Sequence, residues 1–325
     1  MDLRQKMFLA IAQEMSITKA ARRLFVTQQC VSIYLKKMEE EYGCTFFNRR
    51  PRLSLTAEGK EMLDTLWKIQ LIEQRFEQRL EEMQSGVCAT IRFGINSTRA
   101  RIISNNLCRR YNAIYPKVKI SFEFRDTRAM ENMLAQYQLD LFLGVNTSDN
   151  TLFVLKPMQT EPVFFVCTEQ LLKKSLGNNL NILSSQSLSL KEISKFPMVR
   201  NSNDSTLNGL LDKHLLAQDL RLDCAYFMSD YENQFELCRQ GIVAAFCPKM
   251  MLKRVIDLNF TCSFQQRLLV FDIKDVQDRL NLQLVTHSGI RQPEFINVFI
   301  DKLRSELQIC ENEIDSYKNE SAKQA

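Results

Sequence analysis

The chain has 325 residues, 45% of them apolar and 25% charged, with a formal net charge of +5. That mix excludes a largely disordered chain, and the length suits about two domains. No apolar run approaches the roughly 18 residues that a membrane helix needs. The charge is unevenly placed: residues 1–60 hold 11 Lys/Arg against 6 Asp/Glu, leaving 32 against 32 for the rest. An anionic partner for that first segment, nucleic acid foremost, is the expectation.

The only apolar run near the N-terminus is Phe8 to Ala12, with Glu14 close behind. No secretory leader is expected there, so the ten cysteines are read in a reducing cytoplasm. Residues 3–15 put Leu3, Met7, Phe8, Ile11, Ala12 and Met15 on one helical stripe. Ser16 caps a short second helix, Ile17 to Leu24. Thr27 caps a third, running to about Tyr42, with Val31, Leu35 and Met38 inward and Gly43 as its left-handed stop. Two short strands around Pro51 follow, with basic residues at the tip. Thr56 caps a helix that reaches about Gln84, and Ser85-Gly86 marks a domain boundary. Its apolar seam, including Leu66, Ile69, Phe76 and Leu80, calls for a partner helix from a second copy. Trp67 is expected to pack in that seam.

Beyond Gly86, strands at Thr90–Ile95, Val118–Phe124 and Leu139–Val145 alternate with helices at Ser97–Tyr115 and Thr127–Tyr137. A second run places strands at Phe196–Arg200, Leu222–Phe227 and Ile242–Cys247, with helices at Thr206–Leu216 and Tyr231–Arg239 between them. Strands at Leu268–Ile273 and Leu280–Thr286 and a helix from Pro293 to about Cys310 complete the pattern. The βαβ order implies two α/β lobes with parallel sheets. The polar residues from Glu311 onward are expected to fray.

Two helices, a tight turn and a third helix in a basic segment describe a helix-turn-helix, its third helix suited to the major groove. The stretch Phe8-Leu-Ala-Ile-Ala-Gln-Glu-Met-Ser-Ile-Thr-Lys-Ala-Ala-Arg-Arg-Leu24 resembles the LysR-type transcriptional regulators. So do Val26-Thr-Gln28, Val31-Ser32, Leu35-Lys-Lys-Met-Glu39, Gly43, Phe46-Phe47, Arg49 and Leu55-Thr-Ala-Glu-Gly59. Gln29 stands where the family usually has Pro or another small turn residue, and Ile33 where Arg or Lys is common.

The resemblance implies a mixed α and α/β fold. A winged helix-turn-helix DNA-binding domain (1–60) and a linker and dimerisation helix (56–86) precede a two-lobed effector domain (88–310) like the periplasmic binding proteins. Lobe I would take about 88–160 and 266–310, lobe II about 161–265, with a polar tail at 311–325. It also implies operator DNA, a small-molecule effector and a homodimer or homotetramer, without a metal or cofactor. Thr27, Gln28, Gln29, Ser32, Tyr34, Lys36 and Lys37 are the candidate groove and phosphate contacts of the third helix. Arg49, Arg50 and Arg52 are those of the wing.

In an open α/β sheet, ligands sit at the carboxyl ends of strands. That rule selects Asn96, Ser97, Thr98, Asn146 and Thr147 in the first lobe, and Arg200, Asn201, Ser202, Ser229 and Phe246 in the second. An anionic effector would suit Ser97 and Arg200. In the competing reading Ser97 and Thr98 only cap their helix and Arg200 meets a surface acid. No catalytic motif surrounds His214 or His287, and no phosphate or dinucleotide loop appears, so an enzyme is not expected. The cysteines show no zinc-type spacing. Cys224 and Cys238 are the pair to test for a thiol switch, which stands as an alternative beside a ligand sensor acting through a protein partner.

Overall fold

The computed structural model describes residues 2–50, 52–85, 89–177, 185–202, 205–261, 263 and 266–324. The proposed boundary residue Gly86, together with Cys88 and Cys262, lies outside the described residues. Two compact units result, Met1–Ala89 and Thr90–Ala325.

In the first unit, α1 (Leu3–Glu14) starts on a capping box in which Asp2 and Gln5 satisfy each other's backbone N–H groups. Ser16 caps α2 (Ile17–Arg23) and Thr27 caps α3 (Gln28–Tyr42), as their positions before apolar-periodic runs require. The helices bury Phe8, Ile11, Ala20, Val31 and Leu35 among themselves. Gly43, at φ +65°, ends α3 in the left-handed region, letting the Cys44 N–H turn back to the Glu39 carbonyl. The wing follows as β1 (Phe47–Asn48) paired antiparallel with β2 (Ser54–Leu55). Phe8 anchors it, with ring centroids 5.5 Å from Phe46 and 5.2 Å from Phe47.

The long helix α4 (Ala57–Ser85) then begins on the Thr56 hydroxyl. A Cβ at Gly59 would lie 2.0 Å from the Phe46 carbonyl oxygen, so only glycine lets this helix approach the wing. Leu66 and Trp67 are buried within the single chain, which corrects the expectation that both serve a seam between copies. Among the described side chains of α4, Ile72, Phe76 and Leu80 are apolar and exposed, with Ile69 half-buried.

The second unit holds two sheets. The first has the strand order β4-β3-β5-β13-β6: β3 is Ala89–Ile95, β4 Val118–Phe124, β5 Leu141–Val145, β6 Phe153–Glu161 and β13 Leu280–His287. The second has the order β10-β9-β11-β7-β12-β8: β7 is Val163–Thr168, β8 Ser187–Leu188 and β9 Pro197–Arg200. Its remaining strands are β10 (Asp223–Phe227), β11 (Ala244–Pro248) and β12 (Leu268–Ile273). Helices α5 (Ser97–Asn112) and α6 (Thr127–Ala135) belong to the first lobe. Helices α7 (Glu169–Leu176), α8 (Leu190–Ile193), α9 (Thr206–Ala217), α10 (Tyr231–Arg239) and α11 (Leu252–Thr261) belong to the second. A 3₁₀ turn, Lys249–Met251, leads into α11.

The βαβ runs pair in parallel as expected, β3 with β5 and β9 with β10 and β11, but neither sheet is parallel throughout, which corrects the expectation of parallel sheets. The strands β6, β7, β12 and β13 carry the chain between lobes and back, and such returning strands run against their neighbours: β13 pairs antiparallel with β5 and β6, and β7 with β11 and β12. The return to the first lobe also falls after β12 rather than near residue 266, because β12 pairs with β7 from Leu268 to Asp272.

The last helix, α12 (Glu294–Gln324), runs well past the expected stop at Cys310. Leu303, Leu307, Cys310, Ile314 and Tyr317 continue one 3/4-spaced stripe through the polar residues. Its first half packs on lobe I, where Tyr111 donates to the Phe295 carbonyl and stacks edge-on to Phe299. Its second half lies on lobe II. There Lys249 meets Glu311 and Asp315 at 2.9 Å, Lys253 meets Glu313 at 2.9 Å, and Lys318 meets Asp272 at 3.2 Å. Ile314, 1% exposed, is the apolar anchor of this half. Ile314→Ala is expected to destabilise the second unit by about 3 kcal/mol, while Glu313→Ala, at an exposed ion pair, changes it by less than about 0.5 kcal/mol. Thermal melts of the two full-length variants check the contrast.

Candidate nucleic-acid interface and ligand cleft

The first turn of α3 presents Thr27, Gln28 and Gln29 to solvent. Thr27 spends its hydroxyl on the Cys30 N–H, and the Gln28 amide oxygen accepts from Thr18 at 3.3 Å, tying the starts of α2 and α3 together. Further along, Ser32 and Tyr34 are half-buried, whereas Lys36 and Lys37 are exposed. Lys36 pairs loosely with Glu40 at 3.5 Å, and the Lys37 ammonium sits 6.0 Å from the Tyr34 ring centre. In the wing, Arg49 reaches Glu39 at 3.3 Å, and the same carboxylate accepts from the Phe46 N–H, fixing the wing to α3. Arg50 and Arg52 are exposed at the tip. Fold and sequence therefore bring the start of α3 and the wing cations onto one small unit. Ile33 is also exposed on α3, at 46%.

In the second unit a cleft of about 680 Å³ opens between the lobes. Of the sequence candidates, Asn96, Asn146, Asn201, Ser202 and Ser229 line it. Asn96 is the N-cap of α5, accepting from the Thr98 and Arg99 N–H groups. Asn146 adopts φ +46° and its amide oxygen accepts from the Asn281 N–H, which fixes the end of β5 against β13. Asn201 donates to Ser205 and Tyr231 at 3.0 Å and accepts from Gln234, and Ser202 and Ser229 share a 2.8 Å hydroxyl contact.

The other five candidates lie outside the lining. Because Asn96 takes the N-cap, Ser97 and Thr98 fall in the first helical turn, Ser97 half-buried and Thr98 fully buried. Thr147 is buried, its N–H donating to the Gln283 side chain. Arg200 is turned to Asp212 at 2.7 Å, so the expected anion clamp is spent on a surface acid. Phe246 faces the core of lobe II, 6.2 Å from the Phe165 ring centre, as strand alternation requires.

Sequence reasoning missed a group that the cleft assembles from distant segments: Thr127, Arg128, Glu131, Ser148, Thr206 and Tyr231. It also missed Arg99. That guanidinium is 3% exposed and makes a two-pronged ion pair with Glu161, at 2.5 and 3.0 Å. Glu161, 2% exposed at the crossing into lobe II, also accepts from the Met250 N–H at 3.2 Å. Burial alone would lower the Arg99 pKa, but the Glu161 charge and hydrogen bonds outweigh it and hold the pKa above the ordinary value. The signal was out of reach of any local pattern, since the partners are 62 residues apart.

Burial favours the protonated form of both thiols singled out in the sequence. Burial pushes Cys238 far up, and Cys224 is also raised by burial although the Arg200 charge opposes it. Cys167, Cys247 and Cys108 are raised by burial too, and Cys310 is pushed up to about 12. His214 meets the exposed Asp278 at 3.1 Å. No cluster of metal-ligating side chains occurs among the described residues.

Comparison with known proteins agrees with this geometry. Residues 4–60 match the family described as "Bacterial regulatory helix-turn-helix protein, lysR family", and residues 84–308 match "LysR substrate binding domain". The chain is 30% identical over 166 residues to the "Uncharacterized HTH-type transcriptional regulator YcgK" of Bacillus subtilis (strain 168). That match spans half of this chain and 51% of the relative. It is 20% identical over 310 residues to the "HTH-type transcriptional regulator CbbR" of Rhodospirillum rubrum, spanning 95% of this chain and 97% of the relative. Among solved structures, full-length CbnR complexed with its target DNA superposes with a TM-score of 0.54 at 14% identity, covering 94% of this chain and all of that one.

Proposed function

The chain belongs to the LysR family of DNA-binding transcriptional regulators with an effector-binding domain, and from that membership we propose how its own residues divide the work. The exposed start of α3 reads bases: Gln28 and Gln29 offer amides that pair two-pronged with adenine, and Ser32 and Tyr34 lie one turn on. Thr27, Lys36 and Lys37 hold phosphates beside the groove. Arg49, Arg50 and Arg52 carry the wing onto the neighbouring phosphates or into a narrow minor groove. The observation that carries this reading is the joint exposure of the α3 start and the wing cations within residues 1–60, the segment that carries the chain's charge excess.

A second copy pairs through α4, where Phe76 and Leu80 are exposed and Ile69 half-buried, so that two heads meet two half-sites. The cleft of the second unit takes a small-molecule effector, held by Asn96, Asn146, Asn201, Ser202 and Ser229. Effector binding changes DNA affinity only to the extent that it favours one arrangement of the subunits. The protein works in the cytoplasm and performs no chemistry on its ligand. Among the described residues, no helix is long and apolar enough to cross a membrane.

Fluorescence anisotropy of the full-length protein on the DNA upstream of its own coding region tests the first half. The logarithm of the binding constant is expected to fall linearly with the logarithm of salt, by about 0.9 per phosphate contact. Binding that ignores salt, or none at all, would sink the assignment.

A further inference from the structure

The cleft contains unusually little free charge for an anion receptor. Arg99, its one buried cation, is already neutralised by Glu161 through two hydrogen bonds. The expected clamp, Arg200, faces Asp212 outside the lining. What remains among the described lining residues is Arg128, exposed on α6, against the carboxylates of Asp126 and Glu131. Asp126 caps α6 by accepting from the Ala129 N–H, which also offsets the positive end of that helix. Glu131 accepts from the Ser148 N–H at 2.7 Å.

The other polar lining groups are neutral. Thr127, Ser148, Ser202, Ser205, Thr206 and Ser229 supply hydroxyls. Asn96, Asn132, Asn146 and Asn201 supply amides. Hydroxyls and amides both donate and accept, so they pair best with ligand groups that do both. Carboxylates accept only, so the acceptor capacity that Asp126 and Glu131 keep beyond their bonds to the Ala129 N–H and to Ser148 favours a ligand group that donates, which a carboxylate does not. An anion seated here would gain Arg128 as its one free cation among the described lining residues and would meet the carboxylates of Asp126 and Glu131 as well. A ligand cation would meet Arg128.

The structure assigns to this cleft an uncharged polyhydroxy ligand of sugar or alditol class, and disfavours the carboxylate that the sequence suggested. This inference rests on reading the cleft as the effector site. The volume of about 680 Å³ lies within the range of small-molecule pockets and leaves room for a ligand of that size.

Isothermal titration of the full-length protein against aldohexoses, aldopentoses, alditols and inositols, with acetate, succinate, benzoate and short alkylamines in parallel, provides the test. At least one polyol is expected to bind, with affinity reduced tenfold or more by Ser229→Ala and by Glu131→Gln, while the acids and amines give no heat. Binding of an acid or amine that weakens in the same two variants would overturn the ligand class and leave the cleft as the effector site. Polyol binding untouched by either variant would overturn the cleft assignment itself. Silence from every polyol would overturn the inference.

Discussion

Replacing Arg49, Arg50 and Arg52 together by alanine is expected to weaken DNA binding about a hundredfold at moderate salt and to reduce the salt slope by about two to three. The three cations sit on a two-stranded wing whose own fold rests on Phe46 and Phe47 packed against Phe8, none of which the substitutions touch. Arg49 is the one member with an internal partner, Glu39, and that contact is exposed on the arginine side. Its loss costs the fold little, because exposed ion pairs contribute about 0–1 kcal/mol. Thermal melting should therefore stay near that of the parent while anisotropy shows the loss. Gln28→Ala should behave differently, relaxing discrimination at one base by about 1–3 kcal/mol without changing the salt slope. If the triple variant binds as the parent does, the wing has no phosphates to hold.

Removing either partner of the Arg99–Glu161 pair is expected to be the most damaging single change in the second unit. Arg99→Ala leaves a carboxylate that is 2% exposed without its cation, and Glu161→Ala leaves a guanidinium that is 3% exposed without its anion. Such uncompensated buried charges cost about 3–5 kcal/mol, which for a unit of this size lowers the melting temperature by about 10 °C. The double replacement Arg99→Met with Glu161→Leu removes both charges and should recover most of the loss, since apolar replacements of buried pairs are often neutral. Differential scanning calorimetry of the full-length variants reads the comparison. A double variant as unstable as either single one would show that the Met250 N–H and its bond to Glu161 hold this corner instead.

The N-terminal unit was legible in the sequence almost element by element. Its helices carry their own punctuation: Ser16 and Thr27 ahead of apolar stripes, Gly43 behind one. The second unit was legible only where a strand and its helix are sequence neighbours. Strand β6 went unassigned because Pro157 interrupts its pattern, and β7 because its short unbroken apolar run after Pro162 has no period of two. Pro157 is tolerated because β6 is an edge strand and the proline falls at a break in register against β13. The mixed strand direction depends on how the chain crosses between lobes, which no local periodicity encodes.

The site divided in the same way. Residues ending a strand and opening a helix, such as Asn96 and Asn201, could be placed by rule. Whether a charge there is free could not, because Arg99 and Arg200 are settled by acids 62 and 12 residues away. The terminal segment was misread for a simpler reason: its stripe is narrow, and Ile314 and Tyr317 stand among acids and amides.

That terminal helix has a mechanical meaning. Rooted on Tyr111 of one lobe and tied by Lys249, Lys253 and Lys318 to the other, α12 acts as a splint roughly 45 Å long laid across both lobes. A simple clamshell motion would have to bend this rod or strip its ties. Torsion about the rod's own axis strains it least, so a ligand's grip in the cleft would leave the domain as a twist between its lobes.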